Sequence, residues 1–223
     1  MSVEVDGLIA KLKELKVEIF GKLKLYLGTI DQKKVVIVKC GVGKVYAAAA
    51  AAILLSRYKN ISLVINLGVA GGVCRDLRQG DFALGANTIQ HDCDLTAGGL
   101  KIGQVADRDK REFVCCESLV KKMSVVLGDL GFKYKLGTIV SGDQFINCKE
   151  KVEWLRSEFN AIACDMETAS IAQVCEGFSV PFLVLRSISD NADESAITDF
   201  DQFCREAAAR SISAVEKFLK HNF

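Results

Sequence analysis

Residues 161–190 read AIACDMETASIAQVCEGFSVPFLVLRSISD, and this stretch decides the fold. Two short apolar runs each end in acidic or polar residues. Ala161-Ile162-Ala163 leads into Cys164-Asp165-Met166-Glu167, and Phe182-Leu183-Val184-Leu185 leads into Arg186-Ser187-Ile188-Ser189-Asp190. Between them lies a helix-length segment. Strand, helix, strand is the repeating unit of an α/β sheet covered on both faces. Carboxylates at strand ends lie where open α/β folds bind ligands, and there they can orient sugar hydroxyls or move a proton.

The same rhythm extends outward. The sequence predicts an amphipathic helix over about 4–16, from Leu8, Ile9, Leu12 and Leu15, then strands at 23–30 and 34–39. Gly41-Val42-Gly43-Lys44 turns into an Ala-rich helix over 45–58, and Leu63–Asn66 is a short strand running into the glycine-rich turn Gly68–Gly72. Further strands are predicted at 81–90, 137–141, 161–165 and 182–188, with helices at 117–130, 149–158, 167–177 and 200–219. The expected fold is α/β, a single domain over 1–223 with a mixed, twisted central sheet flanked by helices.

Bulk composition narrows the function. Half the chain is apolar, yet no apolar run reaches the length of a membrane span. The opening residues Val3-Glu4-Val5-Asp6 do not read as a signal peptide. A net charge of +1 gives no electrostatic footprint for nucleic acid. Nine cysteines, an odd number without a CxxC pair, fit reduced thiols in a cytoplasm better than a metal or redox site. No cofactor is expected.

Several segments carry chemistry, each beside a plainer reading. Gly68-Val69-Ala70-Gly71-Gly72 brings a ligand close to backbone amides, or is a tight turn. It matches neither GxGxxG nor a Walker sequence. Asp165 and Glu167 face the same side if the chain stays extended there; Glu167 either binds a ribose diol or simply opens a helix. Ser189-Asp190 is an Asx-turn cluster or a partly desolvated proton donor, with Arg186 placed to pair with Glu167. His91-Asp92-Cys93-Asp94, lacking a second histidine, is read as a polar loop, and Lys44 as a solvated first-turn lysine or an anion contact.

Taken together, Gly41–Val45, Asn66–Gly72, His91–Thr96, Ser141–Ile146, Asp165–Glu167 and Arg186–Asp193 resemble, in order and spacing, the bacterial 5′-methylthioadenosine/S-adenosylhomocysteine nucleosidases of the nucleoside phosphorylase superfamily. The resemblance runs from about Met1 to Leu219. Val69, Gln90-His91-Asp92 and Asn191-Ala192-Asp193 are most similar to the branch that also hydrolyses aminodeoxyfutalosine. The family implies a homodimer that cleaves the N-glycosidic bond of 5′-substituted adenosines without metal or redox cofactor. By resemblance Asp190 is the acid that protonates adenine N7, and Glu4 the carboxylate that activates water. Glu167 takes the ribose hydroxyls, Met166 packs under the sugar, and Phe145 and Ile146 form the adenine pocket. Phe200 is the base-side lid, Ala70 and Gly71 are the floor, and Val42 reaches the neighbouring subunit's alkylthio pocket. Asp165, Arg186 and Ser189 complete the binding set.

Asn66 and Val69 stand where the phosphorylases carry an arginine and a serine for phosphate, so water is the expected nucleophile. A phosphate-dependent phosphorylase and an inactive nucleoside-binding paralogue stay as alternatives. Three departures from the family are expected to matter. The chain lacks the central strand with which the family begins, which leaves two sheet edges open. Asp165 replaces the usual Glu, so its polar contacts are expected to run through water. Gly98 replaces an aromatic ring and widens the 5′ pocket.

Overall fold

The computed structural model describes the backbone of residues 2–190 and 200–220, and the side chains of 5–189 and 206–220. The chain starts with α1 (Ser2–Ile9) and a three-stranded antiparallel meander, β1 (Lys13–Phe20), β2 (Leu23–Ile30) and β3 (Lys33–Val38). The helix expected over 4–16 therefore ends early. Leu15, Val17 and Ile19 also alternate with charged residues, and this period of two wins because it pairs Val17 with Tyr26 and Ile19 with Lys24. Asp31 and Gln32 both have positive φ, 47° and 66°, as a tight hairpin between β2 and β3 requires.

The rest of the chain alternates: α2 (Lys44–Arg57), β4 (Val64–Gly72), β5 (Phe82–Gln90), β6 (Phe113–Val114), α3 (Glu117–Asp129), β7 (Tyr134–Ser141), α4 (Lys149–Phe159), β8 (Ala161–Asp165), α5 (Thr168–Gly177), β9 (Phe182–Asp190) and α6 (Phe200–Lys220). The second sheet runs β6-β5-β7-β8-β4-β9, and β9 also pairs with β5. Five strands thus close a circuit, β5-β7-β8-β4-β9 and back to β5. Its pairings are mixed: β4–β9, β5–β7 and β7–β8 are parallel, β4–β8 and β5–β9 antiparallel.

β4 corrects a second expectation. Gly68–Gly72 is not a turn after a short strand but the second half of a nine-residue strand. Val64 to Gly71 pair with β9, and Gly71 and Gly72 with β8. Small residues suit a strand end where two partners converge. Among the described residues, β3 pairs with β2 alone, and β4 from Val64 to Ala70 with β9 alone, so each keeps an open edge.

Helices cover the circuit. Leu84, Ile139, Leu183 and Leu185 are fully buried against Met123 and Leu127 of α3, Ile171 of α5 and Phe218 of α6. Phe182–Leu185 is apolar at every position because both faces of β9 are covered. No helix among the described residues is long and apolar enough to cross a membrane.

Candidate active site

Four strand ends meet at one place. Ser141 of β7 lies opposite Asp165 of β8, Cys164 opposite Gly71 of β4, and Gly71 opposite Asp190 of β9. Asp165 is the anchor. Its Oδ1 accepts hydrogen bonds from the Ser141 hydroxyl at 2.6 Å and from the Glu167 and Thr168 amides at 3.1 Å each. Its Oδ2 lies 2.8 Å from Nε of Arg186 and also meets the Thr168 hydroxyl. The contacts expected through water are therefore direct. The shorter side chain lets the carboxylate fold back over the first amides of α5, where the helix dipole favours an anion.

Arg186 joins the two acidic strand ends, but with a different first partner from the one predicted. Its near ion pair is Asp165, while Nη2 lies 3.7 Å from Glu167 Oε2. Arg186 also donates to Asn66 Oδ1 at 2.6 Å, to the Thr168 hydroxyl and to the Leu67 carbonyl. Glu167 sits one step further out. Its Oε1 accepts the Gly43 amide at 3.0 Å. Burial raises its carboxyl above the ordinary value, with Asp165 adding to the rise and Arg186 opposing it. A carboxylate held this way can accept two hydrogen bonds from a diol.

A second network surrounds the entry to α2. The Lys44 amide donates to Asp143 Oδ1 at 2.7 Å, and the Lys44 ammonium to Asp92 Oδ1 at 2.6 Å and to Gln90 Oε1 at 3.1 Å. The Asp143 amide donates to Asp92 Oδ2 at 2.9 Å, and Gln90 donates to Gln173 at 2.6 Å. Burial pushes the Asp92 carboxyl up, but the Lys44 ammonium and the Asp143 amide outweigh it and hold it below its ordinary value. Lys44 is thus neither solvated nor an open anion contact. His91 is not part of a polar loop surface either: it is 1 % exposed, edge-on to Trp154, and burial pushes its pKa down to about 4. Neither ring nitrogen of His91 has a hydrogen-bond partner among the described residues. The sequence marks the segments of this network but not their pairing.

The phosphorylase superfamily model matches residues 1–220. The 5′-methylthioadenosine/S-adenosylhomocysteine nucleosidase of Staphylococcus haemolyticus is 36% identical over 221 residues, 99% of this chain and 96% of the relative. The chain belongs to this nucleosidase family of the phosphorylase superfamily. The Neisseria meningitidis nucleosidase, solved in complex with methylthio-immucillin-A, is similar at a TM-score of 0.93 and 36% identity, covering 99% of this chain and 95% of that one. The futalosine hydrolase of Helicobacter pylori is similar at 0.92 and 32% identity, covering 98% and 94%.

Of the remaining predicted residues, Ala70, Gly71 and Ser189 lie at the same strand ends of this nucleosidase-family fold. Ala70 is buried, and its carbonyl accepts the Ser189 hydroxyl at 3.2 Å. Gln79 donates to the Ser189 carbonyl. Met166 is half-buried beside Glu167. Phe145, 69% exposed, and Ile146 line an open hollow of about 470 Å³ with Gln144, Cys148 and Lys151. Val42 is 64% exposed at the start of α2, next to Val45 and Tyr46, which are 77% and 70% exposed. The side chains of Glu4, Asp190 and Phe200 lie outside the described residues; the backbone of Asp190 ends β9 opposite Gly71.

Proposed function

We propose that this chain hydrolyses the N-glycosidic bond of 5′-substituted adenosines, releasing adenine and the 5′-substituted ribose. The substrate set spans methylthioadenosine, S-adenosylhomocysteine, 5′-deoxyadenosine and aminodeoxyfutalosine. The observation that carries hydrolysis over phosphorolysis is the state of Asn66. It is buried, and its Oδ1 accepts from Arg186 at 2.6 Å with the Thr168 hydroxyl 2.9 Å away. Val69 offers no side-chain donor, and Arg186 is ion-paired to Asp165. A phosphate ion would therefore lack the charge-assisted donors it needs here.

In this reading Glu167 accepts the two ribose hydroxyls and fixes the ring, with Met166 beneath it. Asp190 gives a proton to N7 as the C1′–N9 bond breaks and its electrons move into the purine. Water held by Glu4 adds to C1′ and loses its proton to that carboxylate. Phe145 stacks on the base, Ile146 and Phe200 close its side, Ser189 steadies the end of β9, and Ala70 and Gly71 form the floor. The chain acts as one domain over 1–223, in a cytoplasm, as a homodimer. The exposed Val42, Val45 and Tyr46 beside Gly43 support an α2 interface, with Val42 reaching the partner's 5′ pocket.

The test is adenine release from methylthioadenosine in phosphate-free buffer. Release without phosphate, lost in Asp190→Asn, is expected. Release that depends on phosphate and yields a ribose 1-phosphate would replace hydrolysis with phosphorolysis. Binding without turnover would make this a nucleoside-binding protein.

A further inference from the structure

Three residues far apart in the sequence form a closed ring of hydrogen bonds. The Lys44 amide reaches Asp143, the Asp143 amide reaches Asp92, and Asp92 takes the Lys44 ammonium. The ion pair is largely enclosed, with the two side chains 18% and 15% exposed. The ring surrounds the start of α2, whose first turn has no acidic residue of its own. The first amides of a helix lack intrahelical acceptors and attract anions. Here distant carboxylates supply them: Asp143 takes the Lys44 amide, and Glu167 takes the neighbouring Gly43 amide at 3.0 Å.

Only glycine fits here: φ is 94°, and a Cβ would lie 3.0 Å from Asp143 Oδ1. Glycine is also the most freely turning residue, so the next residue has to fix the direction of its amide. Lys44 is pinned at both its amide and its ammonium, and supplies that restraint. The geometry points to Lys44 as a positioning residue: through Asp92 and Asp143 it holds the Gly43 amide on Glu167 and so aims the carboxylate proposed to bind the diol. This rests on the nucleosidase reading. The charged and titratable groups facing Glu167 are Arg186 from β9, Asp165 from the end of β8 and Cys40 beyond β3. The Gly43 amide adds to Arg186 in opposing the rise that burial causes. Loosening it moves the Glu167 titration upward.

Lys44→Met keeps most of the stem and removes the ammonium. For methylthioadenosine, it is expected to raise KM about tenfold, the scale of one hydrogen bond to a charged group, with kcat within about twofold. The acid limb of the kcat/KM profile shifts to higher pH, and Lys44→Arg restores most of both. An unchanged KM and acid limb, or a loss confined to kcat, overturns the positioning role. Hydrogen exchange at the Gly43 amide in ligand-free protein reads the ring without turnover. It is protected in wild type and at least several-fold faster in Lys44→Met. If exchange responds but wild type releases no adenine, the nucleosidase reading and the role that rests on it fall while the ring stands. If exchange does not respond, the ring fails whatever the turnover.

Discussion

The guanidinium of Arg186 lies 2.8 Å from the carboxylate of Asp165, and both side chains are almost wholly enclosed, at 4% and 2% exposure. A buried charge that loses its partner is not rehydrated, so removing one member costs far more than the pair is worth. Asp165→Asn is expected to lower unfolding free energy by about 3–5 kcal/mol. Urea unfolding at neutral pH measures it; a loss below about 1 kcal/mol, the range of exposed pairs, would refute it.

Glu167 gives a pH signature of the opposite kind. Its carboxyl is raised above 4.5 by burial, so the folded state holds this proton more tightly than the unfolded chain does. Its contribution to stability is full below 4.5 and is lost as pH rises through the raised folded value. Glu167→Gln does not titrate. Its stability relative to wild type should therefore increase with pH from about 4 to 7. Unfolding curves across that range check it, and a flat difference would count against the raised carboxyl.

His91 titrates with the other sign. Its folded pKa of about 4 lies below the ordinary 6.5, so protonation on acidification favours the unfolded chain. The stability it confers is present above 6.5 and is lost as pH falls toward 4, on the order of 3 kcal/mol in all at ~1.4 kcal/mol per unit. His91→Phe retains a ring beside Trp154 and removes two nitrogens that have no partner among the described residues. The variant should lose this acid sensitivity and keep its stability at neutral pH. The pH dependence of thermal unfolding in both proteins decides it.

Gly85 sits inside the strand circuit at the irregularity in β5. A Cβ there would stand 2.2 Å from Cγ1 of Val184. Gly85→Ala is expected to destabilise by about 1–3 kcal/mol through overpacking. Adding Val184→Ala should recover part of that loss, although Val184→Ala alone is destabilising. Simple additivity in denaturant unfolding would show that the contact is not the cause.

The α2 face supplies a prediction about assembly. Tyr46→Glu puts a charge among Val42 and Val45, all of them well exposed in the single chain. Sedimentation is expected to show a dimer in wild type and a monomer in Tyr46→Glu; a wild-type monomer would contradict the proposed interface.

Much of the fold was legible because its strands are short apolar runs bounded by polar residues. Residues 23–30 and 161–165 form strands with the predicted bounds. The failures have specific causes. Leu8, Leu12 and Leu15 are spaced as on a helix, but Leu15, Val17 and Ile19 also fit a strand, and only pairing with β2 settles it. Gly68–Gly72 looks like a turn by composition, because single-sequence reading cannot see two strands converging on it. The Lys44 ring was invisible for a simpler reason. Its three hydrogen bonds join residues 99, 48 and 51 positions apart, and neither charge nor spacing announces such pairings.

Strand order also fixes when the circuit can close. The circuit closes through β9, the last strand, which must meet β4 on one side and β5 on the other. A ribosome releases those residues only after some four-fifths of the chain has been made. Until then β4 and β5 offer apolar edges to any neighbour, the condition in which nascent chains stick together. Arg186 arrives on that same segment, so Asp165 waits for its counter-charge as long as the barrel waits for its last stave. Nine residues, Phe182–Asp190, close the strand circuit and bring Arg186 to Asp165.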